Sequence, residues 1–179
     1  SACTGETGGK QGGHGATRTG GKNWQVTSHG SYPWRTAVAE DGGVWVSNRA
    51  HTGSNPADVN QANVVHLDAA DGSLICRAPV LNIARSVAID AAGDILAGSY
   101  SGGRLFHISG SMVDASTSPP TCVVLNTVAT GLNIYGLNAD ADGYVWTSSI
   151  LKPPRVRIYA YTTTTFAHPS FDSVHPHPL

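Results

Sequence analysis

The chain has 179 residues, a formal net charge of −1 at pH 7, 13% charged residues and 21 glycines. So small a net charge provides no basic surface for nucleic acid, and no run approaches the roughly 20 apolar residues of a membrane-spanning helix. Few charges and many glycines favour short strands joined by tight turns, so we expect an all-β fold.

The N-terminal residues 1–22 form a Gly-rich stretch that predicts a flexible segment. The chain starts at Ser1 and not at Met, which is typical of a processed or truncated product. Small residues before Cys3 and a polar tether after it resemble the end of a bacterial lipobox, which implies a lipid-anchored protein. An ordinary flexible N-terminus is the favoured alternative.

A similar phrase recurs three times, as "AVAEDGGVWVSN", "VAIDAAGDILAGS" and "LNADADGYVWTSS". The turn glycines Gly42, Gly93 and Gly143 lie 51 and 50 residues apart. Each separates a first strand from a second, and two more strand-like runs follow. Four strands in about 50 residues are typical of a β-propeller blade. We therefore predict about three four-stranded antiparallel blades over residues 23–170, as a partial or assembled propeller, and an irregular tail over 171–179.

The predicted strands fall at matching places in the three copies. The first strands cover 36–39, 87–90 and 137–140, the second start at 44, 95 and 145, the third at 64, 104 and 155, and the fourth at 73, 121 and 162. Blades converge at a propeller axis, where small residues fit, and bulky residues of the second strands fill the gaps between blades. We place Ala37, Ala88 and Gly136 at the axis, and Trp45, Leu96 and Trp146 in the gaps.

Over residues 34–162 the repeated phrase resembles "G-V-A-V-D-x-x-G-N-V-W-V" of the streptogramin (virginiamycin B) lyase-like and NHL-like propellers. The chain departs from that pattern at Ala39, which replaces the Asp, and at Gly43, Asp94 and Tyr144, which replace the Asn. Such propellers usually have six or seven blades, and three cannot close a ring. The resemblance thus implies a piece of a longer protein, or a second copy or another chain that completes the propeller. It also implies a secreted or cell-envelope protein.

In propellers, the loops that enter the first strand and those that join the second and third strands open on one face, around the channel. Here these loops carry aromatic and cationic residues, which suit a sugar, a peptide, an acidic ligand or another small molecule. The alternative is that the rings pack and the arginines only solvate the rim. The predicted ligand-binding residues are Trp34, Arg35, Asn48, Arg49, His51, Arg85, Tyr100 and Tyr135.

The histidines raise the question of catalysis, because the resembled lyases use histidines with a carboxylate and a divalent metal. His66 and His107 occupy equivalent third-strand positions far from the axis, and His51 has no second catalytic partner in the alignment. "NADADG", residues 138–143, resembles half of a calcium loop but is also a plain turn, which we favour. We predict no catalytic residue, no metal and no cofactor.

Three cysteines are present: Cys3, Cys76 and Cys122. They have no zinc-type spacing, and two readings stay open, either buried thiols or a disulfide that joins two of the three. We expect a non-enzymatic exported propeller module that binds ligands or assembles through its channel face and its open blade faces. The alternative is a fragment of a streptogramin lyase-like enzyme whose remaining catalytic residues lie on missing blades.

Overall fold

A computed structural model describes residues 25–50, 62–80, 83–150, 155–162 and 165–167. Within these ranges the secondary structure consists of twelve strands, without a helix, and so without a helix that could span a membrane. The predicted all-β class is confirmed. The predicted segments 1–22 and 171–179 lie outside the described residues.

Each repeat forms one four-stranded antiparallel sheet, with its strands hydrogen bonded in chain order. The first sheet contains β1 Pro33–Val38, β2 Val44–Asn48, β3 Asn63–Leu67 and β4 Leu74–Pro79. The second contains β5 Ala84–Ile89, β6 Ile95–Ser99, β7 Arg104–Asp114 and β8 Thr121–Ala129. The third contains β9 Gly136–Ala139, β10 Tyr144–Ser149, β11 Arg155–Thr162 and β12 Thr165–Ala167. The predicted start of the last strand at 162 was too early, because β11 extends to that residue.

The turn between the first two strands is built alike in all three sheets. Gly42, Gly93 and Gly143 have φ values of 88°, 83° and 84°, a left-handed conformation that residues with a side chain rarely adopt. In the second sheet the Asp90 carboxylate caps this turn, and Asp140 does so in the third sheet. The repeat therefore rests on local turn chemistry that the sequence already displays.

The sheets pack face to face in chain order, because β1 contacts β5 and β5 contacts β9. The core between the first and second sheets includes Trp45 and Ile95, and the core between the second and third includes Leu96 and Val145. A disulfide between Cys76 and Cys122 joins β4 to β8 across the first of these cores. Of the two readings that the sequence left open, the structure has the disulfide.

The three equivalent gap residues differ sharply in exposure. Trp45 is 1% exposed and Leu96 is fully buried, whereas Trp146 is 42% exposed. The next sheet covers the first two, but the described part of the chain has no sheet beyond the third. Along β10, Val145 and Thr147 point into the core, and Tyr144 and Trp146 point outward.

Candidate functional site

Two β-bulges position the central residues of the predicted ligand site. The β1–β2 register shifts between Pro33 and Arg35, so Trp34 is the extra residue. The β5–β6 register shifts in the same way between Ala84 and Ser86, so Arg85 is the extra residue there. A bulge turns its side chain away from the regular pleat, and bulges are frequent beside binding sites. Tyr135 occupies the equivalent place before β9, where its N–H donates to the carbonyl of Ser148.

These positions converge on the guanidinium group of Arg85. Its Cζ lies 4.3 Å from the ring centroid of Trp34, 4.4 Å from that of Tyr135 and 5.2 Å from that of Tyr100. The Cζ of Arg49 lies 5.1 Å from the Trp34 centroid. We call these five residues, all predicted from the sequence, the Arg85 cluster. Residues from all three repeats thus form one cation–π assembly.

The arginine side chains of the cluster contact aromatic rings and, among the described residues, no carboxylate. Within the described residues, the ion pairs involve only His107, and no carboxylate lies within 4.0 Å of an arginine nitrogen. Arg85 is only 9% exposed, and the Nε atoms of Arg85 and Arg49 are buried without a described hydrogen-bond acceptor. Trp34 in contrast is 40% exposed, so the assembly reaches the surface.

The electrostatic consequence appears at Tyr135. A hydrogen bond from Arg85 lowers the pKa of the Tyr135 phenol below its ordinary value, and the charges of Arg85, Arg35 and Arg49 add to the decrease, while burial opposes it. Three arginines therefore generate a positive potential at one hydroxyl. A negatively charged group that approached this hydroxyl would be stabilised in the same way.

The other predicted site residues have different surroundings. Arg35 lies exposed on β1, and its charge contributes to the field at Tyr135. Asn48 is buried, and its amide donates to the carbonyl of Ser28 at 2.7 Å and to Asn63 Oδ1 at 2.8 Å. It thus holds the segment before β1 against the sheet, and its predicted ligand contact stays a prediction. His51 lies outside the described residues.

A second polar group was not predicted as a site. Asp90, Asp94 and His107 of the second sheet bring one ligand-type atom each to within 4.8 Å of the others. The sequence showed only the two aspartates around the turn glycine Gly93; the β6–β7 register, which pairs His107 with Leu96, brings the imidazole to them. In the first sheet the equivalent His66 pairs with Trp45 and stacks on its indole at a centroid distance of 4.2 Å. The two histidines thus occupy equivalent third-strand positions, opposite Trp45 and Leu96.

Fold and site together define a class: an all-β protein of antiparallel four-stranded sheets with an arginine–aromatic cluster where three sheets meet. No protein-family model matches the chain, and no curated protein is significantly similar to it. The function must therefore be argued from the geometry.

Proposed function

We propose that the chain is an exported, non-enzymatic β-propeller module whose Arg85 cluster binds a small ligand that carries a carboxylate. The observation that carries this proposal is a guanidinium enclosed by three aromatic rings, with no carboxylate beside it in the described residues. A carboxylate is the group that a guanidinium pairs with best, through two parallel N–H···O bonds.

The sheet arrangement supports the propeller interpretation. In each four-stranded unit the strands follow one another in order, and the first strands β1, β5 and β9 are neighbours. This is the order expected when first strands line an axis and the later strands lie progressively further out. The Arg85 cluster lies at the start of these first strands, which in such an arrangement is one face of the channel.

The disulfide supports export. Disulfides persist in oxidising compartments and are rare in the cytosol, where thiols are kept reduced. Both Cys76 and Cys122 are buried, at 1% and 0% exposure, so their bond belongs to the core and not to a surface exchange site.

The aromatic rings favour a ligand with an apolar face next to its carboxylate. Trp34 and Tyr135 flank the guanidinium on opposite repeats, and the exposed indole of Trp34 offers a flat surface. An acidic sugar has such a face on its ring, and an acidic peptide has it on its side-chain methylenes. The carboxylate is common to both, and the two sources are separated experimentally.

The binding test is a calorimetric titration with two probes, tetragalacturonate and tetraglutamate. The informative variant is Arg85→Met, which keeps an unbranched side chain out to the position of the arginine Nε and removes the charge; Arg85→Ala would leave a larger hole at a buried position. Loss of charge-assisted hydrogen bonds worth about 1.5–3 kcal/mol weakens binding about 10- to 150-fold. The matched control is Arg104→Met, at an exposed arginine that begins β7.

Equal affinity of Arg85→Met and Arg104→Met for a probe would contradict the proposal. A result in which neither probe binds the unmodified chain would also contradict it. Thermal melting of Arg85→Met separates lost binding from lost structure. Binding should also weaken as salt concentration rises, because charge pairs near the surface are screened.

The same module presents a face for assembly. Tyr144 and Trp146 are exposed large side chains on the outer side of the third sheet, and Ile150, which follows β10, is exposed as well. The equivalent faces of the first and second sheets are covered by the next sheet in chain order. We propose that a further sheet of the same kind, supplied by a second copy of the chain, covers it in the assembled protein.

A further inference from the structure

The turn of the second sheet brings together two carboxylates and an imidazole. Asp90 follows β5, Asp94 precedes β6, and His107 lies within β7. The Nε2 atom of His107 is 3.2 Å from Asp94 Oδ2 and 3.8 Å from Asp90 Oδ2. The three donor atoms all lie within 4.8 Å of one another, so one small ion could contact them together.

Backbone N–H groups fix the orientation of both carboxylates. Asp90 Oδ1 accepts hydrogen bonds of 2.9 Å from Ala92 N–H and Asp94 N–H. Asp94 Oδ1 accepts one of 2.8 Å from Gly110 N–H. Each carboxylate therefore uses Oδ1 for the chain and directs Oδ2 towards His107. Hydrogen bonds that hold the second oxygen of a ligand in this way are typical of metal sites.

The Oδ2 atom of Asp90 is an independent sign that something charged belongs there. The Asp90 side chain is 3% exposed, and its Oδ2 is buried with no hydrogen-bond partner among the residues that the structure describes. An ionised oxygen in such a place is costly unless a cation or a donor stabilises it. In the third sheet the equivalent Asp140 Oδ2 accepts a 2.8 Å hydrogen bond from the indole of Trp146. Leu96 takes the place of that tryptophan in the second sheet and offers no donor.

We propose that Asp90, Asp94 and His107 bind a divalent transition-metal ion of the zinc type. Zinc bonds to imidazole nitrogen and carboxylate oxygen at about 2.0–2.2 Å, which puts tetrahedral donors about 3.4 Å apart. The two Nε2–Oδ2 separations, 3.2 and 3.8 Å, lie on either side of that value, and the two carboxylate donors lie within 4.8 Å of each other. An imidazole among the donors favours zinc, cobalt or nickel over calcium or magnesium, which prefer oxygen ligands alone.

An acidic cleft leads to this group. It has a volume of about 450 Å³, and Glu40, Asp41, Asp94 and Gly110 are among the residues that line it. Of the three donor residues, Asp94, whose side chain is 23% exposed, lines the cleft, whereas the side chains of Asp90 and His107 are buried. Acidic walls concentrate cations at the opening, so the cleft provides an entry path and space for a water ligand.

Neither of the other sheets repeats this donor set. The first sheet has His66 but carries Ala39 and Gly43 in place of the aspartates, and the third has Asp140 but pairs Trp146 with Ile158 where the others have histidine. The site is thus specific to the second sheet, and the third sheet provides a matched control.

The test is a calorimetric titration of Zn²⁺ into the full chain, on a His175→Ala/His177→Ala background that removes the histidines of the tail. Asp90→Asn keeps the Oδ1 cap of the turn and removes the ligand charge, and we expect at least tenfold weaker binding. Asp140→Asn, the equivalent change in the third sheet, should leave the affinity unchanged. Co²⁺ provides a second readout, because a tetrahedral nitrogen–oxygen site produces strong visible absorption that His107→Gln should abolish.

Four outcomes would overturn the proposal. The first is that the unmodified chain binds no Zn²⁺, and the second is that Asp90→Asn and His107→Gln both leave Zn²⁺ binding intact. The third is that Asp90→Asn and Asp140→Asn lose Zn²⁺ affinity equally, and the fourth is that the chain binds Ca²⁺ in preference to Zn²⁺. The first would mean that the His107 imidazole contacts the two carboxylates with no metal ion between them. Circular dichroism of each variant verifies folding, and Asp94→Asn, at the more exposed ligand, replaces any variant that does not fold.

Discussion

The disulfide between the first and second sheets should contribute a large part of the stability of the fold. It joins β4 to β8, closes a loop between residues 46 positions apart and spans a Cα–Cα distance of 5.1 Å. Next to it, the N–H of Arg77 donates to the carbonyl of Pro120 at 2.9 Å, so the two strands already meet there. Replacement of Cys76 and Cys122 by alanine would remove the covalent link but leave the packing nearly intact.

The expected loss follows from the entropy of the unfolded chain. A cross-link that closes a loop of this length restricts the unfolded ensemble by about 4 kcal/mol in the chain-entropy description. Domains are stable by only about 5–15 kcal/mol, so the double variant should unfold at a much lower urea concentration. Tryptophan fluorescence is a suitable probe, because Trp45 is buried beside the cross-link in the same core.

The controls distinguish the bond from its surroundings. Cys3→Ala should leave the urea midpoint unchanged, and a reductant should shift the unmodified chain towards the double variant without affecting the double variant itself. A loss below about 1 kcal/mol would refute the reasoning, since surface changes alone reach about half of that. It would mean that the cores hold the two sheets together without the cross-link.

Two further predictions concern exposed and titratable groups. Trp146→Gln should shift the chain from dimer to monomer in light scattering at micromolar concentration. The control Met112→Gln, at an exposed residue of the β7–β8 hairpin, should leave the dimer intact. An unmodified chain that is monomeric would contradict the assembly proposal. Trp45→Asp, at a buried residue, should unfold the first core and not merely separate the dimer. Burial lowers the pKa of His66 below its ordinary 6.5, although the charges of Asp41 and Asp68 oppose this shift. As pH decreases, the unfolded chain therefore takes up a proton at His66 before the folded chain does. The free energy of unfolding should therefore fall as pH decreases through about 6.5, by at most about 1.4 kcal/mol per pH unit for this group. Urea titrations at several pH values measure this dependence. If His66→Gln keeps the same dependence of unfolding free energy on pH, another group is responsible.

Much of the architecture could be predicted because it depends on neighbours in the chain. Gly42, Gly93 and Gly143 mark turns that need a left-handed residue, and alternating apolar residues mark the strands beside them. The pairing of β1 to β4 then follows from short connections, since consecutive antiparallel strands need only a turn between them. The fifty-residue period also aligned Trp34, Arg85 and Tyr135 correctly, because equivalent positions in stacked repeats lie at equivalent places.

The sequence by itself thus determined the all-β class, the three units of four strands and the residues that begin each unit. Only the tertiary structure decided what those residues meet. It enclosed Arg85 between rings from separate sheets, paired Cys76 with Cys122 and left Trp146 exposed where Trp45 is buried. It also brought His107 to Asp90 and Asp94 through the β6–β7 register. Each of these contacts joins strands that are distant in the chain. The local pattern of polar and apolar residues does not specify which distant strands come to lie side by side.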